Sequence, residues 1–232
     1  MAVERIKTGI AGLDEIMHGG IPDNQILLLS GTSGTGKTTL CMQYCHEGAT
    51  KYKENAVFLS LEEPTEMIKR NARSFGWDFD KLEKQGKIAF IKYDPYRVED
   101  IFDILDSKIR EMKAKRVVVD SLSALGIHVR DSAELRSMIF ELSSILRKLD
   151  CTAILVSEIV PGARGISRFG VEEFVVDGVL VLYYERLQAT FVRAIQVWKL
   201  QGSTHSEKLH PYLITPSGIE ISSNEEAIAK GI

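Results

Sequence analysis

The sequence is poor in the features that mark secreted, zinc-binding and membrane proteins. It has three cysteines, no C-x-x-C pair and no histidine at ligand spacing, so neither a disulfide framework nor a zinc site is expected. Cys41 and Cys45 lie one turn apart on a predicted helix and Cys151 opens a predicted strand, which favours reduced, buried thiols. No apolar run approaches the ~20 residues that cross a bilayer, and the N-terminal segment carries charges in place of an apolar signal core. We expect a cytoplasmic protein without membrane contact.

Neither sign of charge dominates the chain. The 29 lysines and arginines against 32 aspartates and glutamates leave a net charge of −3, which gives no general attraction to nucleic acid or to an anionic membrane. The sequence also lacks an internal repeat, a low-complexity linker and a compositional boundary. With 44% hydrophobic residues among 232, the chain can bury one substantial core. We expect residues 1–232 to form a single domain.

One stretch carries a motif with a specific chemistry. A short apolar run, Ile26–Leu29, leads into Gly31-Thr32-Ser33-Gly34-Thr35-Gly36-Lys37-Thr38, the phosphate-loop pattern G-x-x-x-x-G-K-[ST], and a helix-compatible segment follows. The glycines let consecutive backbone N–H groups converge on a phosphate, and the helix directs its N-terminus at the same point. Lys37 would neutralise phosphate oxygens, and the Thr38 hydroxyl would ligate Mg²⁺. The sequence therefore predicts that Thr32, Ser33, Gly34, Thr35, Gly36, Lys37, Thr38 and Thr39 bind ATP.

Strands and helices alternate along most of the chain. Periodicity predicts helices over 38–53, 66–75, 79–85, 98–113 and 131–150, and strands over 26–29, 55–60, 87–92, 116–120 and 151–157. The strand 116–120 contains three valines without polar alternation, which is typical of a strand covered on both faces. Strands over 178–184, 191–200, 212–215 and 218–222 then follow without helices. We predict an α/β fold, with a mainly parallel sheet between helix layers and antiparallel hairpins at its C-terminal end.

Carboxylates stand at the ends of three predicted strands. Asp120 should emerge at the sheet edge that holds the phosphate loop, where it could hold Mg²⁺ through its water or cap a turn. Glu62 and Glu63 follow another strand; one of them could orient or deprotonate the water that attacks the γ-phosphate, or both could lie in a solvated loop. Ser157 and Glu158 could sense the γ-phosphate or form a polar strand end.

Further segments stand in a fixed order around these positions. They are Thr8-Gly9-Ile10, Gly12-Leu13-Asp14-Glu15, Gly19-Gly20-Ile21-Pro22, Ser60-Leu61-Glu62-Glu63, Ala72-Arg73-Ser74-Phe75-Gly76-Trp77-Asp78, Asp120-Ser121 and Phe169-Gly170-Val171-Glu172-Glu173-Phe174. Together with the phosphate loop they resemble the KaiC family of RecA-type ATPases over nearly the whole chain, and most of all its single-domain archaeal members. The resemblance implies a RecA-like P-loop NTPase core that hydrolyses ATP with Mg²⁺.

The resemblance also implies catalytic roles and an assembly. Glu62 and Glu63 match the family's catalytic pair, and Lys37 and Lys199 match its catalytic cations. Nucleotide in this family lies between the subunits of a six-membered ring of identical chains. Lys199 would therefore act on the nucleotide of a neighbouring subunit.

Other positions match nucleotide contacts of the family. Arg193 and His205 match residues that reach the nucleotide across the subunit interface. Ser74 falls in the stretch that lies near the adenine. Ile214 and Thr215 match a segment of the neighbouring subunit near the base.

The chain departs from the family pattern at two places. The family often has Lys-x-Arg where this sequence has Lys199-Leu200-Gln201, so Gln201 stands near the γ-phosphate in place of a second cation and cannot supply its charge. Glu173-Phe174 stands where autophosphorylating members carry a Ser-Thr pair. Phosphorylation at that pair is not expected here.

We expect slow ATP hydrolysis in a homo-oligomeric ring, with a regulatory or signalling role through protein partners that the sequence does not identify. The alternative is a nucleotide-gated scaffold, in which bound ATP holds the ring together and turnover is negligible. A further alternative is a DNA-acting RecA relative, because Arg164 and Arg168 lie in the loop that contacts DNA in such proteins. A salt-dependent DNA titration would discriminate this last reading.

Overall fold

The computed structural model describes residues 4–93, 100–126, 129 and 131–227. Its strands are β1 (Arg5–Ile6), β2 (Ile21–Pro22), β3 (Ile26–Gly31), β4 (Ala56–Ser60), β5 (Ile88–Lys92), β6 (Arg116–Asp120), β7 (Thr152–Glu158), β8 (Gly178–Leu187), β9 (Thr190–Leu200), β10 (Leu209–Thr215) and β11 (Gly218–Ile221). Its helices are α1 (Leu13–Ile16), α2 (Lys37–Glu47), α3 (Thr65–Ala72), α4 (Phe79–Lys84), α5 (Ile101–Met112), α6 (Leu122–Leu125), α7 (Ser132–Lys148) and α8 (Glu172–Val175). Within the described ranges, no helix combines the length and the apolar character that crossing a bilayer demands.

Strands β3 to β11 form one sheet in the order β11-β10-β9-β8-β3-β7-β6-β4-β5. Every pair from β8 to β5 along this order is parallel, whereas β8–β9, β9–β10 and β10–β11 are antiparallel. The predicted fold class is therefore confirmed. Because β3 lies between β7 and β8, the loop that follows β3 opens at the middle of the sheet edge, where α/β proteins bind ligands.

Helices cover both faces of the parallel strands. Leu27 and Leu29 of β3 pack in a core with α1 to α4, and Ile26 and Leu28 pack in a second core with α5 to α7. Successive side chains of a strand point to opposite faces, so a strand between two helix layers needs a continuous apolar run. The same arrangement explains the valines of β6, which divide between the two cores.

Several element boundaries differ from the predictions. The helix predicted over 38–53 ends at Glu47 and continues as a π-helical turn, Gly48–Tyr52. A Cβ on Gly48 would lie 2.4 Å from Cδ of the buried Arg116, so a side chain from β6 occupies the space beside this turn. The predicted start of another helix at 98 lies outside the described residues. The short elements β1, β2, α6 and α8 were not predicted, because two to four residues carry no periodicity. All three cysteines are free and buried, as predicted.

Candidate active site

The phosphate loop joins β3 to α2 at the C-terminal edge of the parallel strands. Gly34 and Gly36 have φ values of 83° and 88°, in the left-handed region that glycine adopts without steric cost. The loop borders a cavity of about 300 Å³. Loop residues, the start of α2 and polar residues from neighbouring strand ends form its walls: Ser33, Gly34, Gly36, Lys37, Thr38, Thr39, Glu62, Asp120, Ser121 and Glu158. The fold therefore gathers residues from four separate parts of the sequence.

The Lys37 ammonium lies against the backbone of its own loop. Its Nζ donates hydrogen bonds of 3.0 Å to the carbonyl oxygens of Gly31 and Thr32. Burial lowers the pKa of Lys37, and the negative charges of Glu158 and Asp120 oppose this shift. A cation held at the cavity wall is suited to contacting the oxygens of a phosphate.

Asp120 and Thr38 form the pair expected of a magnesium site. The Thr38 hydroxyl donates to Oδ2 of Asp120 at 2.7 Å. Burial raises the pKa of Asp120 to about 6, although the hydrogen bond from Thr38 opposes the shift. Among the described residues, no group of three or more His, Cys, Asp or Glu side chains could hold a metal by itself. A hydroxyl and one carboxylate nevertheless fit Mg²⁺, which takes one or two protein ligands and completes its shell with phosphate and water.

Glu62 and Glu63 occupy different surroundings. Glu62 lines the cavity, and its Oε1 accepts a hydrogen bond of 2.9 Å from the hydroxyl of Ser121. Glu63 does not line the cavity; its Oε1 accepts from Nδ2 of Asn71 on α3 at 3.3 Å. The geometry therefore distinguishes two glutamates that are adjacent in the sequence.

Ser157 and Glu158 also point in different directions, as neighbours in a strand do. Glu158 lines the cavity beside Lys37. Ser157 is buried, and its hydroxyl donates to Oε1 of Glu172 at 2.9 Å while it accepts from the backbone N–H of Arg168 at 3.0 Å. Of the two, only Glu158 is placed to face a bound phosphate.

Two cationic side chains that the family resemblance assigns to the nucleotide of a neighbouring subunit donate hydrogen bonds within their own chain. Arg193 donates from Nε and Nη2 to the carbonyl oxygen of Gly34, at 3.2 and 3.1 Å. Lys199 donates from Nζ to the carbonyl oxygens of Glu173 and Val176, at 3.0 and 2.6 Å. Burial lowers the pKa of Lys199, against the opposing charges of Asp177 and Glu173.

The other matched residues lie outside the cavity wall. Ser74 is exposed and donates to the carbonyl of Asn71 at 2.7 Å. Nδ1 of His205 lies 3.0 Å from the carbonyl of Ser206. Gln201 is exposed in the turn after β9. On β10, Ile214 packs beside Gly36, while the Thr215 hydroxyl bonds to Gly218 and Glu220.

Two side chains at the site were not assigned from the sequence. Ser121 holds Glu62 at the cavity; its position directly after Asp120 was the available signal. Tyr212 donates from its hydroxyl to the carbonyl of Thr35 at 2.5 Å. It carries no local signal, because its partner lies 177 residues away in the sequence.

Comparisons with known proteins identify the family. A family model described as "ATPase: KaiC" matches residues 6–226. The chain belongs to the KaiC family. It is 40% identical to a UPF0273 protein of Methanocaldococcus jannaschii, over 94% of this chain and 96% of the relative. It is 36% identical to the circadian clock protein KaiC3 of Synechocystis, over 94% of this chain and 46% of that relative.

Comparison with solved structures agrees with the sequence comparison. A KaiC-like protein of Pyrococcus horikoshii superposes with a TM-score of 0.88 and 37% identity, covering 95% of this chain and 99% of that one. The predicted resemblance to single-domain KaiC-like proteins is thereby confirmed. Membership of an ATPase family, with the phosphate loop in place, supports ATP binding by this KaiC-family chain.

Proposed function

We propose that this chain is a Mg²⁺-dependent ATPase that hydrolyses ATP slowly at the subunit interfaces of a homo-oligomeric ring. The proposed role is regulation or signalling in the cytoplasm, without binding to membranes or nucleic acid. The observation that carries the proposal is the convergence of Lys37, Thr38, Asp120 and Glu62 on one cavity. These are the parts that phosphoryl transfer requires: a phosphate cradle, a metal site and a group that positions the nucleophile. We take residues 1–232 to act as one domain.

The proposed chemistry assigns a task to each side chain at the cavity. The backbone N–H groups of the loop and the Lys37 ammonium bind the phosphates. Thr38 and Asp120 would hold Mg²⁺, which would supply positive charge to the phosphate oxygens when bound. Glu62, oriented by the Ser121 hydroxyl, positions the attacking water and accepts its proton. Phosphoryl transfer depends mostly on such positioning, so no covalent intermediate with the protein is needed.

The neighbouring subunit is proposed to complete the site. Lys199 would leave its carbonyl partners and contact the γ-phosphate of the adjacent chain, with His205 nearby. Gln201 cannot contribute the second charge found in much of the family, and this deficiency is the reason to expect slow turnover. Ser74 of one chain, with Ile214 and Thr215 of the next, would lie near the base.

ATP binding and turnover, measured on material of known oligomeric state, test the proposal. Lys37→Ala removes a charge-assisted contact worth about 1.5–3 kcal/mol and should weaken ATP binding about tenfold or more. Unchanged affinity in Lys37→Ala would contradict the assignment of the loop. The matched control is Lys51→Ala, because Lys51 is an exposed lysine in the turn after α2.

A nucleotide-gated scaffold is the second candidate. The observation that favours it is the same absence of charge at Gln201, since trans cations act on charge that develops in the transition state. In a scaffold, ATP binding would stabilise the ring. A double variant with Glu62→Gln and Glu63→Gln would then assemble with ATP to the same extent as wild type. Light scattering with ATP, compared between wild type and that double variant, separates the candidates.

A further inference from the structure

The phosphate loop can bind an anion only while its peptide groups keep one orientation. A peptide plane carries a carbonyl on one side and the next residue's N–H on the other. The carbonyl of Gly34 thus shares a peptide with the N–H of Thr35, and the carbonyl of Thr35 shares one with the N–H of Gly36. A side chain that fixes the orientation of these two carbonyls therefore also fixes the orientation of the N–H groups of Thr35 and Gly36.

Both carbonyls are held by side chains from the C-terminal antiparallel strands. Arg193 of β9 donates twice to the Gly34 carbonyl, at 3.1 and 3.2 Å. Tyr212 of β10 is buried and donates to the Thr35 carbonyl at 2.5 Å. A donor on the carbonyl also polarises the peptide group, which strengthens the N–H on its far side as a donor.

Side chains of the C-terminal strands pack against the Arg193 guanidinium and against the loop itself. The Arg193 guanidinium lies 4.3 Å from the ring centre of Tyr184, its partner in the β8–β9 register. A Cβ on Gly34 would lie 3.5 Å from the same ring, and one on Gly36 would lie 2.8 Å from Cδ1 of Ile214. Side chains of these strands therefore pack directly against the phosphate loop of their own chain.

We propose that Arg193 and Tyr212 are positioning residues for the phosphate loop of their own chain, where they orient the N–H groups that bind phosphate. This inference rests on the proposed nucleotide binding and gives Arg193 a role within its own subunit, in contrast to the trans contact that the family resemblance implied. It also gives the C-terminal hairpins a part in nucleotide affinity.

Calorimetric titration with Mg²⁺-ADP tests the inference. Arg193→Ala should weaken binding about tenfold, the usual effect of losing a charged donor, and Arg193→Lys should recover most of that loss. Arg186→Ala is the matched control, because Arg186 lies in the same hairpin and donates to Gln188 instead of to the loop. Both alanine variants should bind alike if the contact to Gly34 has no function.

Tyr212→Phe keeps the test decisive if Arg193→Ala does not fold. It removes only the hydroxyl, and we expect binding to weaken about three- to tenfold. Tyr183→Phe is its control, since the Tyr183 hydroxyl bonds to Gln196 away from the loop. If Arg193→Ala and Tyr212→Phe both bind Mg²⁺-ADP as tightly as wild type, the positioning role is refuted but the proposed function is not. If the wild-type protein binds neither ADP nor ATP, both the positioning role and the proposed function are refuted.

Mixed rings distinguish action within a chain from action across the interface. Chains with Arg193→Ala and chains with Lys37→Ala each have a defective loop of their own if Arg193 acts in its own chain. At an ATP concentration below saturation, the mixture should then show no more turnover than the two chains show separately. If Arg193 acts in trans, the intact loop of the Arg193→Ala chain would receive Arg193 from its neighbour, and the recovered turnover would overturn the inference. The Mg²⁺-ADP titration, repeated on dissociated chains, answers the same question without subunit exchange, because only a contact within the chain persists there.

Discussion

The two adjacent glutamates offer the sharpest test of the candidate site. Glu62 lines the cavity and is held by Ser121, whereas Glu63 bonds to Asn71 and lies outside the cavity wall. Glu62→Gln keeps an acceptor for the serine hydroxyl but cannot take a proton from water. We therefore expect turnover to fall about 10²–10⁴-fold, the range for loss of a general base, with ATP affinity near that of wild type.

The neighbouring substitutions provide the controls. Glu63→Gln should slow turnover by no more than about threefold, because an exposed amide hydrogen bond contributes little. Ser121→Ala removes one hydrogen bond to a carboxylate and should cost about tenfold in rate. The assay is steady-state turnover at saturating ATP, with affinity measured separately. A Glu63→Gln variant that is slower than Glu62→Gln, at equal affinity, would refute the assignment of the water-positioning role.

Three further predictions follow from other parts of the structure. Arg116→Met should reduce the free energy of unfolding by about 3–5 kcal/mol in a urea titration, because it removes the partner of Glu54 and of three backbone carbonyls, two of them at buried contacts. Arg110→Met, at an exposed ion pair, should change the free energy of unfolding by no more than about 1 kcal/mol. Burial raises the pKa of Cys45 and Cys151 to about 12, so at pH 8 iodoacetamide should alkylate them about 10³-fold more slowly in the folded protein than in urea. Gln201→Arg should raise ATP turnover in assembled rings, whereas equal rates would count against the trans mechanism.

The sequence predicted the parts of the site that local chemistry determines. The glycine spacing indicated the loop, because Gly34 and Gly36 occupy left-handed backbone conformations. The valine run of β6 placed Asp120 at the correct sheet edge, where it meets Thr38. The change from alternating helices and strands to strands alone correctly indicated the antiparallel C-terminal region. The first two of these signals are contained within a few consecutive residues, and the third is read from the order of the elements along the chain.

Long-range contacts account for what the sequence did not predict. Helix α2 gives way to the π-helical turn where the Arg116 side chain, from a distant strand, fills the space beside Gly48. The partner of Arg193 is Gly34, 159 residues away, and a residue pattern cannot say whether such a partner lies in the same chain or in a neighbour. The different surroundings of Glu62 and Glu63 likewise depend on where their hydrogen-bond partners, Ser121 and Asn71, lie in the folded chain.

The charges around the cavity connect assembly with catalysis. Among the described residues that line it, Lys37 is the single cation, and it faces three carboxylates, Glu62, Asp120 and Glu158. The cavity wall therefore carries more negative than positive charge before a triphosphate arrives. We expect the charge that develops in the transition state to be balanced partly from outside the chain. In the proposed mechanism, Mg²⁺ at Asp120 would supply one part of this charge, and Lys199 of a neighbouring subunit would supply the other. An isolated chain could then bind ATP, but efficient turnover would require the assembled ring.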